Sequence, residues 1–237
     1  MSIKDNHIKD MKKNVYEANM RLPKERLIKL TWGNVSEIDY DYEVIVIKPS
    51  GVPYSLMKPD QMVVTDLEGN VLQGKYKPSS DLPTHIVLYK NLPNIRSVVH
   101  THSKYAVAWA QSKRSIPPYG TTHADAFYGK IPCTRSLSTE EIEKDYEKET
   151  GNVIIESFSK MAIDPDAVPG VLVQNHGPFT WGKDINESVE NSITLEEVAQ
   201  MAINTELLSQ DPPEIPKNLL DKHYLRKHGK NAYYGQK

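Results

Sequence analysis

No aliphatic run in this chain is longer than the four residues Val44–Ile47. Segments this short build a sheet of brief buried strands, and they fall far short of a membrane-spanning helix. The stretches Val44–Ile47, Ile95–Thr101 and Val171–Val173 read as such strands, and Gln61–Asp66 and Val71–Leu72 flank a hairpin turn at Glu68-Gly69-Asn70. Between them the period changes to three and four. Ile8, Met11, Val15, Ala18 and Leu22 form one stripe of a helix that should end near Pro23. Further helices are predicted from Asp81 to about Lys90, over Lys104–Gln111, over Thr139–Thr150 with a solvated charged face, and over Ile185–Leu208, with a long loop from Pro117 to Pro132. Strands and helices alternate with no repeat or shift in composition, which favours one α/β domain over residues 1–237.

The charge balance, 29 Lys plus Arg against 31 Asp plus Glu, leaves a net charge of −2 and no general attraction to nucleic acid. A basic, Tyr-rich tail over 219–237 is read as a lid or subunit contact. The single cysteine, Cys133, excludes an intramolecular disulfide. The segment Met1–Val15 has no apolar core of a signal peptide, so a cytoplasmic protein away from membranes is expected.

The histidines carry the chemistry. His100 and His102, two apart at the end of an apolar strand, should project from one face as a chelating pair, since strand side chains alternate. Neutral imidazoles bind zinc-like ions at about 2.0–2.1 Å, and a catalytic site takes three protein ligands with one position open. His176 stands just past another strand, next to Gly177, and Asp81 opens a helix, where a carboxylate can be either a ligand or a cap. An anion site can be read at Ser50-Gly51 and Ser79-Ser80, small residues at turns or helix starts with unsatisfied backbone N–H groups, and at Asn34 beside Gly33. No two glycines stand two apart, so there is no dinucleotide fingerprint.

The ordered blocks Thr31-Trp32-Gly33-Asn34-Val35-Ser36, Lys48-Pro49-Ser50-Gly51-Val52, Lys77-Pro78-Ser79-Ser80-Asp81, Val99-His100-Thr101-His102-Ser103, Gly120-Thr121-Thr122-His123-Ala124-Asp125, Asn175-His176-Gly177-Pro178-Phe179 and Asp221-Lys222-His223-Tyr224-Leu225-Arg226-Lys227-His228-Gly229 resemble the L-ribulose-5-phosphate 4-epimerases of the class II aldolase/epimerase superfamily. The resemblance runs from Asn14 to Gln236. It implies a three-layer domain with a central, largely antiparallel sheet flanked by helices, and an active site to which 219–237 contributes. It implies that Asp81, His100, His102 and His176 hold a divalent metal, usually Zn2+ with Mn2+ or Co2+ as alternatives. Asn34, Ser50, Gly51, Ser79 and Ser80 then cradle a sugar phosphate, with Lys48 beside them. Asp125 and Tyr234 are the implied acid/base pair, the tyrosine coming from a neighbouring subunit of a homotetramer, and His223 and Arg226 lie in the C-terminal active-site segment.

The implied reaction interconverts L-ribulose 5-phosphate and D-xylulose 5-phosphate in pentose catabolism. With the carbonyl at C2, the proton on C4 is one bond too far from it to be acidic. Inversion at C4 then needs either a hydride carrier or cleavage and re-formation of the C3–C4 bond. The missing glycine fingerprint argues against the carrier, and a metal acting as electron sink favours cleavage. Lys48 stays open as a Schiff-base residue. A sugar-phosphate aldolase that releases both fragments and a metal- or anion-binding module without turnover are the competing readings.

Overall fold

The computed structural model describes residues 3–235; Gln236 and Lys237, at the end of the basic tail, lie outside the described residues. In chain order it contains α1 (Ile3–Lys24), β1 (Asn34–Asp39), β2 (Val44–Ile47), β3 (Val63–Thr65), β4 (Val71–Gln73), α2 (Leu82–Asn91), β5 (Ser97–His100), α3 (Lys104–Gln111), α4 (Thr121–Ala124), α5 (Thr139–Met161), β6 (Gly170–Val173), β7 (Gly177–Gly182), α6 (Ile185–Leu208) and α7 (Lys217–His228). The strands form one seven-stranded sheet in the order β4-β3-β2-β1-β5-β7-β6. Every neighbouring pair is antiparallel.

Alternation along the strands divides the core into two layers. Ile45, Ile47, Val63 and Val98 face α2, α3, α5 and most of α6, whereas Val35, Val44, Val46, Val64 and Val99 face α1 and the start of α6. The predicted α1 stripe, Ile8, Met11, Val15, Ala18 and Leu22, is buried throughout. Asn19 on the same helix extends the sheet: its Nδ2 donates to Val35 O at 3.1 Å and its Oδ1 accepts from Val35 N at 3.0 Å. Among the described residues no helix is long and apolar enough to cross a membrane.

Several expectations need correction. Strands and helices do not alternate throughout, because β1 to β4 follow one another as a meander and β6 and β7 form a hairpin. Strand β1 was not predicted because Asn-Val-Ser-Glu-Ile-Asp lacks an apolar run, yet it is central and buries Asn34 and Ser36. Strand β7, Gly-Pro-Phe-Thr-Trp-Gly, carries turn-forming residues at its ends but pairs on both sides. The Pro117–Pro132 loop contains α4, and the basic tail contains most of α7. Helix α5 continues well past Thr150, with non-helical torsions at Asp145 (φ −158°, ψ 74°). That break bears on the site.

Candidate active site

One side-chain anchor and one tight backbone approach gather the histidines at one end of the sheet. Strand β5 stops at His100, so His102 is not a second strand residue as predicted; it lies in the link to α3. Glu196 on α6 anchors the first turn of α3, just after that link, by accepting hydrogen bonds from Tyr105 N at 2.9 Å and Ala106 N at 2.9 Å. His176 sits in the β6–β7 turn after Asn175, whose φ of 61° is left-handed. A Cβ on Gly177 would lie 2.7 Å from Thr101 O, so only glycine lets this turn close on the end of β5.

The side-chain ligand atoms of His100, His102 and His176 lie within 4.8 Å of one another. His100 is buried and stacks on Phe179 with ring centres 4.2 Å apart. Its Nδ1 faces Pro178 O at 3.0 Å, and because a carbonyl can only accept, Nδ1 carries the proton. The lone pair is therefore on Nε2, which is buried without a hydrogen-bond partner. His176 Nδ1 meets Tyr146 Oη at 3.2 Å. Burial, with the neighbouring His100, drives the His176 pKa down to about 3 despite the pull of Asp81, and burial lowers that of His102. Three converged imidazoles, of which His102 and His176 have pKa values lowered by burial and His100 presents a buried, unpartnered Nε2, fit a divalent cation. His102 is exposed, and Trp32, half exposed, stands beside it with ring centres 6.2 Å apart, so the open side of the triad faces solvent there.

Asp81 precedes α2 but is not a cap: its torsions are helical and its side chain makes no capping hydrogen bond. Its Oδ2 accepts from Asn34 Nδ2 at 2.6 Å. Burial alone would raise the Asp81 pKa, but His100, His85, His176 and the Asn34 hydrogen bond outweigh it and hold it below the usual range. Its oxygens are not among the converged donor atoms, which come from the three histidines.

Asn34 Nδ2 also donates to Ser79 Oγ at 3.0 Å, joining this carboxylate to the predicted anion cradle. The cradle comprises two facing loops, held by Ser50 N to Lys77 O at 2.9 Å and Ser79 N to Lys48 O at 2.9 Å. The Ser50 and Ser79 amides, expected to be free for phosphate, are thus engaged in the backbone. The Gly51 and Ser80 amides take no part in this backbone pairing. Lys48 is buried, with Nζ 3.2 Å from Pro49 O and 5.0 Å from the Tyr54 ring centre. Burial lowers its pKa to about 8, opposed by Asp81.

Asp125, His223, Arg226 and Tyr234 form a second cluster where α4 meets α7. Asp125 accepts from His223 Nδ1 at 2.9 Å and from Arg226 Nη2 at 2.9 Å, with Lys227 Nζ at 3.5 Å. Burial would raise the Asp125 pKa, but these hydrogen bonds and charges outweigh it and lower the pKa. The Tyr234 ring covers Arg226 and Lys227, each at 4.7 Å, and is itself exposed. Among the described residues no hydrogen bond, ion pair or ring contact joins this cluster to the histidines. Sequence reasoning brought out both groups but missed Tyr146, which lies in a charged helical stretch and is directed to His176 just after the break at Asp145.

Residues 13–203 match the family model described as the class II aldolase and adducin N-terminal domain. The chain is 52% identical over 227 residues to the L-ribulose-5-phosphate 4-epimerase UlaF of Salmonella paratyphi A and to that of Salmonella typhi, spanning 96% of this chain and 99% of each relative. Among solved structures it resembles an L-fuculose 1-phosphate aldolase at a TM-score of 0.76 and 22% identity, covering 90% of this chain and 94% of that one. A second such aldolase, from Glaciozyma antarctica PI12, gives a TM-score of 0.77 at 18% identity, covering 98% of this chain and 87% of that one. At these identities the solved structures speak to the fold alone.

Proposed function

Given that the chain belongs to the class II aldolase and adducin N-terminal domain family, we propose that it is a metal-dependent 4-epimerase that interconverts L-ribulose 5-phosphate and D-xylulose 5-phosphate. The observation that carries this reading is the 52% identity to named L-ribulose-5-phosphate 4-epimerases over nearly the full length of both chains. The converged histidine triad supplies the matching chemistry.

His100, His102 and His176 would hold the cation through their converged nitrogens, and we assign Asp81, whose oxygens lie outside that set, as the fourth ligand; zinc suits the imidazole-rich donors. A divalent ion bound there supplies Lewis-acid stabilisation of the negative charge that develops on the ketose oxygens as the C3–C4 bond opens. The hydroxyls of Ser50, Ser79 and Ser80 and the amides of Gly51 and Ser80 retain the substrate phosphate, with Asn34 positioning Ser79 through its side-chain amide and Lys48 as the adjacent buried cation. A held phosphate keeps the aldehyde fragment in place while it rotates and presents its other face, so that re-addition inverts C4.

Proton traffic at the C4 oxygen falls to Asp125 and Tyr234. An Asp125 carboxyl held ionised by Arg226 and His223 can only accept a proton, which leaves Tyr234 to deliver one. His223 and Arg226 orient Asp125 from α7. Because no hydrogen bond, ion pair or ring contact among the described residues joins this cluster to the triad of its own chain, we assign Asp125 and Tyr234 to the metal site of a neighbouring copy, in a homotetramer with active sites between subunits. Residence in the cytoplasm is consistent with the single, buried Cys133.

The test is epimerisation in deuterated water. The C4–H bond survives cleavage and re-addition, so D-xylulose 5-phosphate should form with no deuterium at C4. Deuterium at C4 would reject carbon–carbon cleavage, and accumulation of two separate fragments would make the protein an aldolase.

A further inference from the structure

Beneath the candidate site lies a chain of polar groups that the proposed reaction does not use. His85 stands one helical turn after Asp81 and is completely buried. Its Nδ1 meets Ser36 Oγ at 2.7 Å, and Ser36 Oγ meets Tyr89 Oη at 2.7 Å. The other ring nitrogen, Nε2, has no hydrogen-bond partner among the described residues, and a buried unmade hydrogen bond costs about 1–3 kcal/mol. Such an expense within a core of close-packed strands and helices calls for a function.

The tautomer follows from the surroundings. The titratable groups beside the ring are Asp81 and His100. A lone pair on Nε2 would add to the negative potential of the Asp81 carboxylate, whereas an N–H there is attracted to it. With the proton on Nε2, Nδ1 accepts from the Ser36 hydroxyl, and Ser36 in turn accepts from Tyr89, so every hydroxyl in the chain has a role. Burial lowers the His85 pKa to about 3 despite Asp81, so the ring stays neutral and offers one N–H.

We propose that His85 is a positioning residue for Asp81: its Nε2–H, oriented by Ser36 and Tyr89, donates to the Asp81 carboxylate when a cation is bound and fixes which oxygen faces the ion. Asn34 Nδ2 already holds Oδ2 from one side, and His85 supplies the hold from within the same helix face. The inference rests on Asp81 being a metal ligand.

The probe is Co2+ added to the metal-free protein and followed by its visible absorption. Removing an outer hydrogen-bond partner of a ligand weakens metal binding by roughly 10–100-fold. His85→Leu should therefore weaken Co2+ binding by about that factor and change the absorption bands. His85→Gln, which keeps an N–H near the Nε2 position, should recover most of the loss. Ser36→Ala keeps the imidazole but frees its tautomer, and should weaken binding by about tenfold even if His85→Leu fails to fold. An Asp81→Asn/His85→Leu double variant should bind no more weakly than Asp81→Asn alone, a result that general damage to the core would not give. Parent-like affinity in Ser36→Ala and His85→Leu, or additive losses in the double variant, would overturn the positioning role. Parent-like Co2+ binding by Asp81→Asn would instead overturn the ligand assignment beneath it.

Discussion

His102→Ala is expected to lose metal and turnover together. Of the three converged imidazoles, His102 is the exposed one, at the solvent side of the triad, whereas His100 is buried against Phe179. Truncating an exposed side chain leaves no cavity, and such changes typically stay within about 0.5 kcal/mol of parent stability. The effect should therefore fall on the ion. Losing one ligand exceeds the loss of an outer partner, so affinity should drop by more than about 100-fold. Turnover should fall by at least roughly 10³-fold, in line with several kcal/mol of lost transition-state stabilisation. Metal content after dialysis, the melting temperature and the rate on L-ribulose 5-phosphate check this in one preparation. A variant that keeps its metal and its rate would remove His102 from the site.

Asp125→Asn should give the opposite pattern: metal retained, rate lost. The carboxylate contacts His223, Arg226 and Lys227 and none of the triad histidines, so metal affinity in the variant should match the parent. The amide keeps the shape of the side chain but cannot act as a base, and general acid/base help contributes about 10²–10⁴-fold. A rate loss in that range with unchanged metal content is the expected result. Loss of metal would mean that Asp125 supports the ion, and an unchanged rate would place proton transfer elsewhere. Mixing Asp125→Asn with His102→Ala adds a test of subunit sharing. Mixed oligomers can contain sites with both groups intact, so activity should reappear if the two clusters come from different copies.

The contrast between these variants reflects how unevenly the sequence reveals the site. Helices α1, α3 and α6 were legible because each has an apolar stripe of helical period, and β2 because all four residues are apolar and buried on both faces. Strands β1 and β7 were not, for the same reason that they matter. Asn34 and Ser36 occupy core positions as hydrogen-bonding groups, and Pro178 supplies the carbonyl that fixes the His100 tautomer. A hydrophobic pattern cannot register a strand that has exchanged apolar residues for site chemistry. The histidine pair was found for a reason only half right, since β5 ends at His100 and the chain beyond it, anchored by Glu196, places His102. Tyr146 and His85 gave no signal because their partners, His176 and Ser36, are 30 and 49 residues away. The ambiguity at Asp81 was likewise tertiary: cap and ligand look alike in sequence, and in the fold the side chain makes no capping bond and meets Asn34 instead.

The central claim is that a cation held by these histidines makes the C3–C4 bond of a phosphorylated ketose reversible. The most direct measurement is turnover of L-ribulose 5-phosphate by the parent protein before chelation, after exhaustive chelation, and after zinc is restored. The predicted result is activity, then none, then recovery in proportion to the metal bound. Full activity in the stripped protein would contradict it.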